Sequence, residues 1–359
     1  MENPTNLKEI LQQGLAEVAR LPVMNDSILT NGKVDETKLE NLAGYTIPLI
    51  SHDYSAKTPI MWNTLYERLG LNMRSIMLVA DPNNAEIITS ALKTDPRYLG
   101  GGFGVGWKEK LEYLDEIKPS DLASVNIVVN ENGKLIGYNT DAPGFIRSLE
   151  EKFTEVGKDI KGSNIIIFGS GGVAKQLSRL IAEKQPRKIS ILNRRYSKAV
   201  AIANELNERY GQIAVGDGEE MIRGKLLNTA PKPDAAINLS DKGSDGPLGD
   251  YSFFHMADTK SEHGLDNNLS RSKTIARNLY SINPNIIIAD IVLPKNPPSV
   301  TLRLAKEAEL ENLIDGRPMV VYQAAPAYVK VQEANPNLHT TKVDEKKALE
   351  VFKQAAGLE

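Results

Sequence analysis

The stretch Asn164-Ile165-Ile166-Ile167-Phe168-Gly169-Ser170-Gly171-Gly172-Val173-Ala174 decides how this chain is read. Asn164 to Phe168 is a continuous apolar strand of the kind that a parallel sheet buries on both faces. Glycines follow at once and open a helix that runs to about Lys184. They allow a tight turn and a close approach of the backbone to an anion, and the helix start offers free N–H groups and a favourable dipole. A second apolar strand, Lys188 to Leu192, and a helix from about Ser197 to Tyr210 complete a βαβ unit. A plain strand-to-helix turn would explain the glycines taken alone. Within the whole unit they read as a dinucleotide site formed by Gly169, Ser170, Gly171, Gly172, Val173 and Ala174. The end of the second strand selects the dinucleotide. An NAD site usually carries Asp or Glu there for the ribose hydroxyl. This chain has Asn193-Arg194-Arg195, with Lys198 beyond. A guanidinium pairs with a 2′-phosphate that a carboxylate would repel. The cofactor is therefore read as NADP, against the bland alternative of two solvated arginines on a loop.

Working outward, a length of 359 residues suggests two domains. Hydrophobic residues make up 41% and charged residues 25%, an ordinary globular balance. No apolar run approaches the roughly 20 residues of a membrane span. Met1-Glu2-Asn3-Pro4 lacks the basic and apolar regions of a secretory signal. Net charge is −3, with no basic block to suggest nucleic acid. The absence of cysteine excludes disulfides, thiolate metal sites and cysteine nucleophiles. His52, His255, His263 and His339 show no metal-ligand spacing, so no metal is expected. The expectation is a cytoplasmic protein, with monomer and homodimer both open.

The local pattern predicts an amphipathic helix over residues 5–20 and a connecting arm over 21–43. A helix starts at Thr58-Pro59. Ser75 to Ala80 reads as one buried strand, and a helix follows near 84–93. Another helix is expected from Lys108 to about Ile117. Asn132-Gly133 marks a tight turn between two short strands, and a helix begins near Asp141. The polar, poorly periodic stretch 241–283 predicts loops or an insertion. A strand resumes over Asn285 to Asp290, and a terminal helix carries Leu349, Phe352 and Ala356.

Two segments bear on chemistry. One is Gly104-Val105-Gly106-Trp107-Lys108-Glu109-Lys110. The other runs Ser124-Val125-Asn126-Ile127-Val128-Val129 and then Gly133 to Asp141, ending Asn139-Thr140-Asp141, with Gly144-Phe145 beyond. The second resembles the shikimate dehydrogenase pattern AVNT…GxxxGxNTDxxGF. Asp315-Gly316 and Met319 to Gln323 are similar to that family's dGxxMLvxQ segment, and the glycine turn followed by Asn193-Arg194 resembles its cofactor loop. The similarity covers roughly residues 44–330, in order. It implies an α/β fold of two domains, a Rossmann-type NADP-binding domain and an α/β substrate-binding domain. Their expected bounds are 1–43 for an N-terminal helical extension, 44–145 completed by 318–359 for the substrate domain, and 146–317 for the NADP domain. It further implies Lys108 and Asp141 as catalytic residues, Asn126 and Gln323 as substrate ligands, and Asn238 in the cofactor set. The implied reaction is reversible reduction of 3-dehydroshikimate, or of a related cyclic hydroxy acid, as part of aromatic amino acid biosynthesis. The residue chemistry agrees. A carbonyl that accepts hydride develops negative charge on oxygen, which an ammonium can stabilise and protonate, and a neighbouring carboxylate orients that ammonium.

The match has gaps. The family's HSxSP segment becomes Ser55-Ala56-Lys57-Thr58-Pro59, so Thr58 replaces one serine, and Ser55 or Lys57 is left to supply the other contact. Its NVTxPxK becomes Gly102-Phe103-Gly104-Val105-Gly106-Trp107-Lys108, with Trp107 offered for stacking on the ligand. The tyrosine of its DxxY is Leu293, after Asp290. These losses point to an altered substrate. Two other readings stay open. One is a methylene-tetrahydrofolate dehydrogenase-like enzyme, although glycine stands four residues before Lys108 where that family has tyrosine. The other is a non-catalytic sensor of NADP and a shikimate-like ligand.

Overall fold

Asn164–Phe168 is a strand, and it lies inside a six-stranded parallel sheet. Its neighbours in space run Ala214–Asp217, Lys188–Leu192, Asn164–Phe168, Ala235–Asn238, Ile287–Asp290 and Leu313–Ile314. Numbered along the chain, that order is 3-2-1-4-5-6, the arrangement of a doubly wound nucleotide fold. One face is covered by apolar side chains that include Leu177, Ile181, Ile202 and Leu206. The other meets Phe253, Phe254, Leu279 and Leu302. Burial on both sides explains why the strands read as unbroken apolar runs.

The computed structural model describes residues 3–19, 29–30, 33–52, 57–218, 232–244, 247–255, 263–294, 296–338 and 341–358. The chain divides into two compact units, Met1–Asp141 with Val320–Glu359, and Ala142–Met319. The parallel sheet belongs to the second.

The first unit is built on a mixed six-stranded sheet. Its order is Met73–Ser75, Gly44–Thr46, Tyr98–Gly102, Ile127–Glu131, Lys134–Tyr138 and Glu116–Lys118. A three-stranded sheet of Ala16–Val18, Leu78–Ala80 and Leu49–Ile50 adjoins it in sequence. The helices Thr58–Arg68, Arg317–Ala334 and Glu345–Ala356 pack Trp62, Tyr66, Tyr328 and Phe352 into one core. The segment read from sequence as an extension contributes Leu7, Ile10 and Ala16 to the core beneath Tyr45 and Leu78. Leu7 N also donates to the buried Asp95 carboxylate at 3.2 Å.

Four expectations on local structure need correction. The first helix is only Leu7–Gln12. Gly14 takes a left-handed conformation (φ +68) that ends it, and Ala16–Val18 turns back as a strand beside Leu78–Ala80. The run Ser75 to Ala80 holds the end of one strand and the whole of another, in different sheets, with buried Ile76 and Met77 between them. No helix starts at Lys108. The chain makes turns, a short 3₁₀ segment at Leu111–Tyr113, and the strand Glu116–Lys118. Finally, part of 241–283 is a 19-residue helix, Gly264–Ile282. Its inward face carries Gly264, Asn268, Ser272, Ala276 and Leu279, too polar to register as an apolar stripe. Asn268 is satisfied there by Ser252 and His255 backbone groups.

Candidate active site

Lys108 stands at the end of a glycine-bearing turn. Trp107 N and Lys108 N both donate to Gly104 O, at 3.0 and 3.2 Å, and Val125 N donates to Lys108 O at 2.8 Å. Trp107 anchors this turn from below. It is fully buried, its indole N–H donates to Ala80 O at 3.2 Å, and its ring meets the edge of Phe103. A ligand-stacking role for Trp107 is therefore overturned, because no face of the ring is open. Gly106 adopts φ +82, and a Cβ on it would lie 2.7 Å from Ser51 Cβ.

Asp141 is the first residue of the helix Asp141–Glu155, and its N–H donates to Asn139 Oδ1 at 3.1 Å. Lys108 Nζ lies 2.5 Å from Asp141 Oδ2. The lysine side chain is 37% exposed and the aspartate 12%, so the ammonium is the member of the pair offered to a ligand.

Asn126 ties this pair to the rest of the unit. Its Oδ1 accepts from Thr140 N at 2.8 Å. Its Nδ2 donates toward Asp141 Oδ1 at 2.8 Å, Thr140 Oγ1 at 3.0 Å and Gln323 Oε1 at 3.1 Å. Gln323, on the helix Arg317–Ala334, also accepts from Thr140 Oγ1 at 3.2 Å and donates through Nε2 to Val320 O. Four expected site residues, Lys108, Asp141, Asn126 and Gln323, are thus joined by one hydrogen-bond network. Thr140 is a fifth member that the sequence reading quoted but did not single out. No local signal marks it, because its hydroxyl partners Asn126 and Gln323 lie 14 and 183 positions away.

The remaining expected substrate contacts are less complete. Thr58 is half-buried in the first turn of Thr58–Arg68, and Lys57 before it is exposed. Ser55 and Ala56 lie outside the described residues. Leu293 is 46% exposed.

On the second unit, Gly169 adopts φ +116, and a Cβ there would come within 2.6 Å of Leu239 O. Only glycine fits both constraints. Gly171 is the N-cap of the helix Gly172–Glu183 and gives it no side-chain cap, which leaves first-turn N–H groups for an anion. Ser170 and Val173 are half-buried and Ala174 is buried. Asn193 Nδ2 donates to Ser170 Oγ, which links the glycine turn to the end of the second strand. Arg194, Arg195 and Lys198 are exposed together. Asn238 differs from these. It is fully buried, and its amide bonds to Asp290, Lys242 and Ser240. Burial pushes the Asp290 carboxyl up to about 6, against hydrogen bonds from Ser299, Asn238 and Val292 N. Among the described residues there is no cluster of histidine and carboxylate side chains able to hold a metal, and no helix long and apolar enough to cross a membrane.

A parallel sheet in this order, a glycine turn at its carboxyl edge and a lysine–carboxylate pair define a dinucleotide-binding α/β oxidoreductase. Comparison with known proteins makes this more particular. The family profile described as Shikimate / quinate 5-dehydrogenase matches residues 150–224. The shikimate dehydrogenase (NADP(+)) of Methanocaldococcus jannaschii is 30% identical over 315 residues, covering 86% of this chain and 95% of that protein. That of Halothermothrix orenii is 28% identical over 314 residues, covering 87% and 96%. A solved shikimate dehydrogenase in complex with NADP+ superposes with a TM-score of 0.62 at 25% identity, covering 87% of this chain and 94% of that one. The chain belongs to the shikimate dehydrogenase family, whose reactions are oxidoreductions at CH–OH.

Proposed function

We propose that this protein catalyses reversible, NADP-dependent reduction of 3-dehydroshikimate, or of a closely related cyclic hydroxy acid. The observation that carries the reading is the Lys108–Asp141 pair, held from behind by Asn126, Thr140 and Gln323. The second unit is read as the NADP domain and the first as the substrate domain. The residues present fit the cofactor. The uncapped helix start after Gly171 suits a pyrophosphate, and Arg194, Arg195 and Lys198 suit a 2′-phosphate. When bound, NADPH supplies the hydride.

The chain's own residues do the rest. Lys108 Nζ donates a hydrogen bond to the substrate carbonyl oxygen and gives up a proton as that oxygen gains charge. In the reverse direction neutral Lys108 takes the hydroxyl proton. Asp141 keeps the ammonium aimed and is itself fixed by Asn126 Nδ2. Gln323, which is partly exposed, presents its amide to a ring hydroxyl, while Asn126 acts by fixing Asp141. Thr58 and Lys57 are the residues nearest in sequence to the family's carboxylate-binding serines. Glycines at 102 and 104, in place of Asn and Thr, and leucine at 293 in place of tyrosine remove hydroxyl-reading groups, so the substrate departs from shikimate at those contacts. A chain without cysteine that draws on NADPH suits the reducing cytoplasm.

The test is to follow NADPH consumption with 3-dehydroshikimate, and NADP reduction with shikimate, quinate and aminoshikimate. Turnover with one of these supports the proposal. Ligand-induced thermal stabilisation without turnover would favour the sensor and overturn the enzymatic reading.

A further inference from the structure

Three adjacent strands of the second unit end level with one another. Phe168 stands opposite Asn238, and Asn238 opposite Asp290. This is the carboxyl edge of the sheet, the side on which such folds bind nucleotides. Both Asn238 and Asp290 are fully buried, so neither side chain offers a surface to a ligand. Their polar atoms act on the protein instead. Asn238 Nδ2 donates to Asp290 Oδ1 at 2.8 Å and to Lys242 O at 3.0 Å. Asn238 Oδ1 accepts from Ser240 N at 2.9 Å and Ser240 Oγ at 2.6 Å. One amide therefore holds both ends of the short loop 239–242.

That loop lies directly on the glycine turn. Leu239 N donates to Phe168 O at 2.7 Å. A Cβ on Gly169 would lie 2.6 Å from Leu239 O and 3.0 Å from Ser240 N. The path of the turn and the path of the loop determine each other. What holds the amide is Asp290. Three donors converge on this carboxylate: Asn238 Nδ2, Val292 N at 3.3 Å and Ser299 Oγ at 2.5 Å. A group that only accepts satisfies all three, whereas an apolar residue of the same size would satisfy none.

We infer that Asp290 is a positioning residue for cofactor binding: through Asn238 it fixes the loop 239–242 against Gly169 and so sets the shape of the dinucleotide turn. The inference rests on the NADP reading of that turn.

Asp290→Leu and Asp290→Asn separate this role from a merely structural one. Calorimetric titration with NADP is run on folded protein, well below the melting temperature of each variant. Asp290→Leu should raise the NADP Kd about tenfold while leaving the KM for the carbonyl substrate near its wild-type value. Asp290→Asn keeps an acceptor for Asn238 and Val292, and the Ser299 hydroxyl can turn to accept from the new amide. It should rescue Kd to within about twofold of wild type. A folded Asp290→Leu that binds NADP as tightly as wild type overturns the inference, even if it melts earlier. Should Asp290→Leu fail to fold, Ser240→Ala and Ser240→Thr decide. Loss of the hydroxyl should weaken NADP about threefold and its retention in Thr should not, and equal affinity in all three proteins overturns the inference. A wild-type protein that binds no NADP defeats the cofactor reading itself, and this inference with it.

Discussion

Asn126→Asp exchanges one NH₂ group for an oxygen at almost constant shape, and the network around it turns that change into a sharp test. Asn126 Nδ2 faces three acceptors: Asp141 Oδ1 at 2.8 Å, Thr140 Oγ1 at 3.0 Å and Gln323 Oε1 at 3.1 Å. In the variant a second carboxylate would meet Asp141. Two unit charges 2.8 Å apart repel by about 6 kcal/mol at an effective dielectric of about 20. Relaxation, and access of water to an aspartate side chain that is 12% exposed, reduce this to a working figure of about 3 kcal/mol. The carboxyl pair escapes part of the penalty by keeping a proton that the unfolded chain has already released. A proton held more tightly in the folded state gives stability that is present at low pH and lost as pH rises. The variant should therefore lie near wild type at about pH 4.5 and fall behind it by about 3 kcal/mol toward pH 8. Urea unfolding followed by tryptophan emission reads this out, because the chain's two tryptophans, Trp62 and Trp107, are both buried in the first unit. Repulsion from the new carboxylate should turn Asp141 away from Lys108, and kcat/KM at pH 7 should drop about 100-fold. A stability gap below about 0.5 kcal/mol that does not change with pH would show that Asn126 is not holding Asp141 as described.

Lys108→Met should lower kcat by about two to four orders of magnitude with the NADP Kd unchanged; an undiminished rate removes Lys108 from the chemistry. Arg194→Ala should weaken NADP at least about tenfold while NAD is little affected, and equal weakening of the two would defeat the 2′-phosphate assignment. Burial raises the Asp290 carboxyl to about 6, above the ordinary carboxylate range. The raised value means that its contribution is fully present below about pH 4 and lost as pH rises through about 6, a change of about 3 kcal/mol. Hydrogen exchange in the strand Ile287–Asp290 should show that decline in wild type and a flatter profile in Asp290→Asn; parallel profiles would count against a buried, protonatable carboxyl.

The nucleotide unit was legible because parallel strands buried on both faces leave apolar runs, and because a glycine such as Gly169 has no substitute at φ +116. The helix Gly264–Ile282 was not legible. Periodicity detects apolar faces, and this one packs through Asn268 and Ser272, whose fit depends on a backbone segment that only the tertiary structure brings near. The run through Ser75 and Ala80 misled because adjacent sheets share it without a polar break. Around Lys108 a charged, leucine-bearing sequence looks helical, yet glycines and the buried Trp107 bend it into turns. In the hydrogen-bond network around Lys108, Asn126 meets Gln323 across 197 positions. No local pattern reports such a pair, and resemblance to a family supplied it. Thr140 went unnamed because its role is visible only once its two partners are in place.

Gly106 gives the divergence of this chain a different meaning. The family pattern it resembles has proline at that position, and the proline ring locks φ near −65°, whereas Gly106 adopts φ +82. Restoring asparagine and threonine at 102 and 104 would therefore leave a difference of main-chain conformation in place at Gly106. A reversion confined to side chains would not reach that difference, because proline cannot adopt the φ of Gly106.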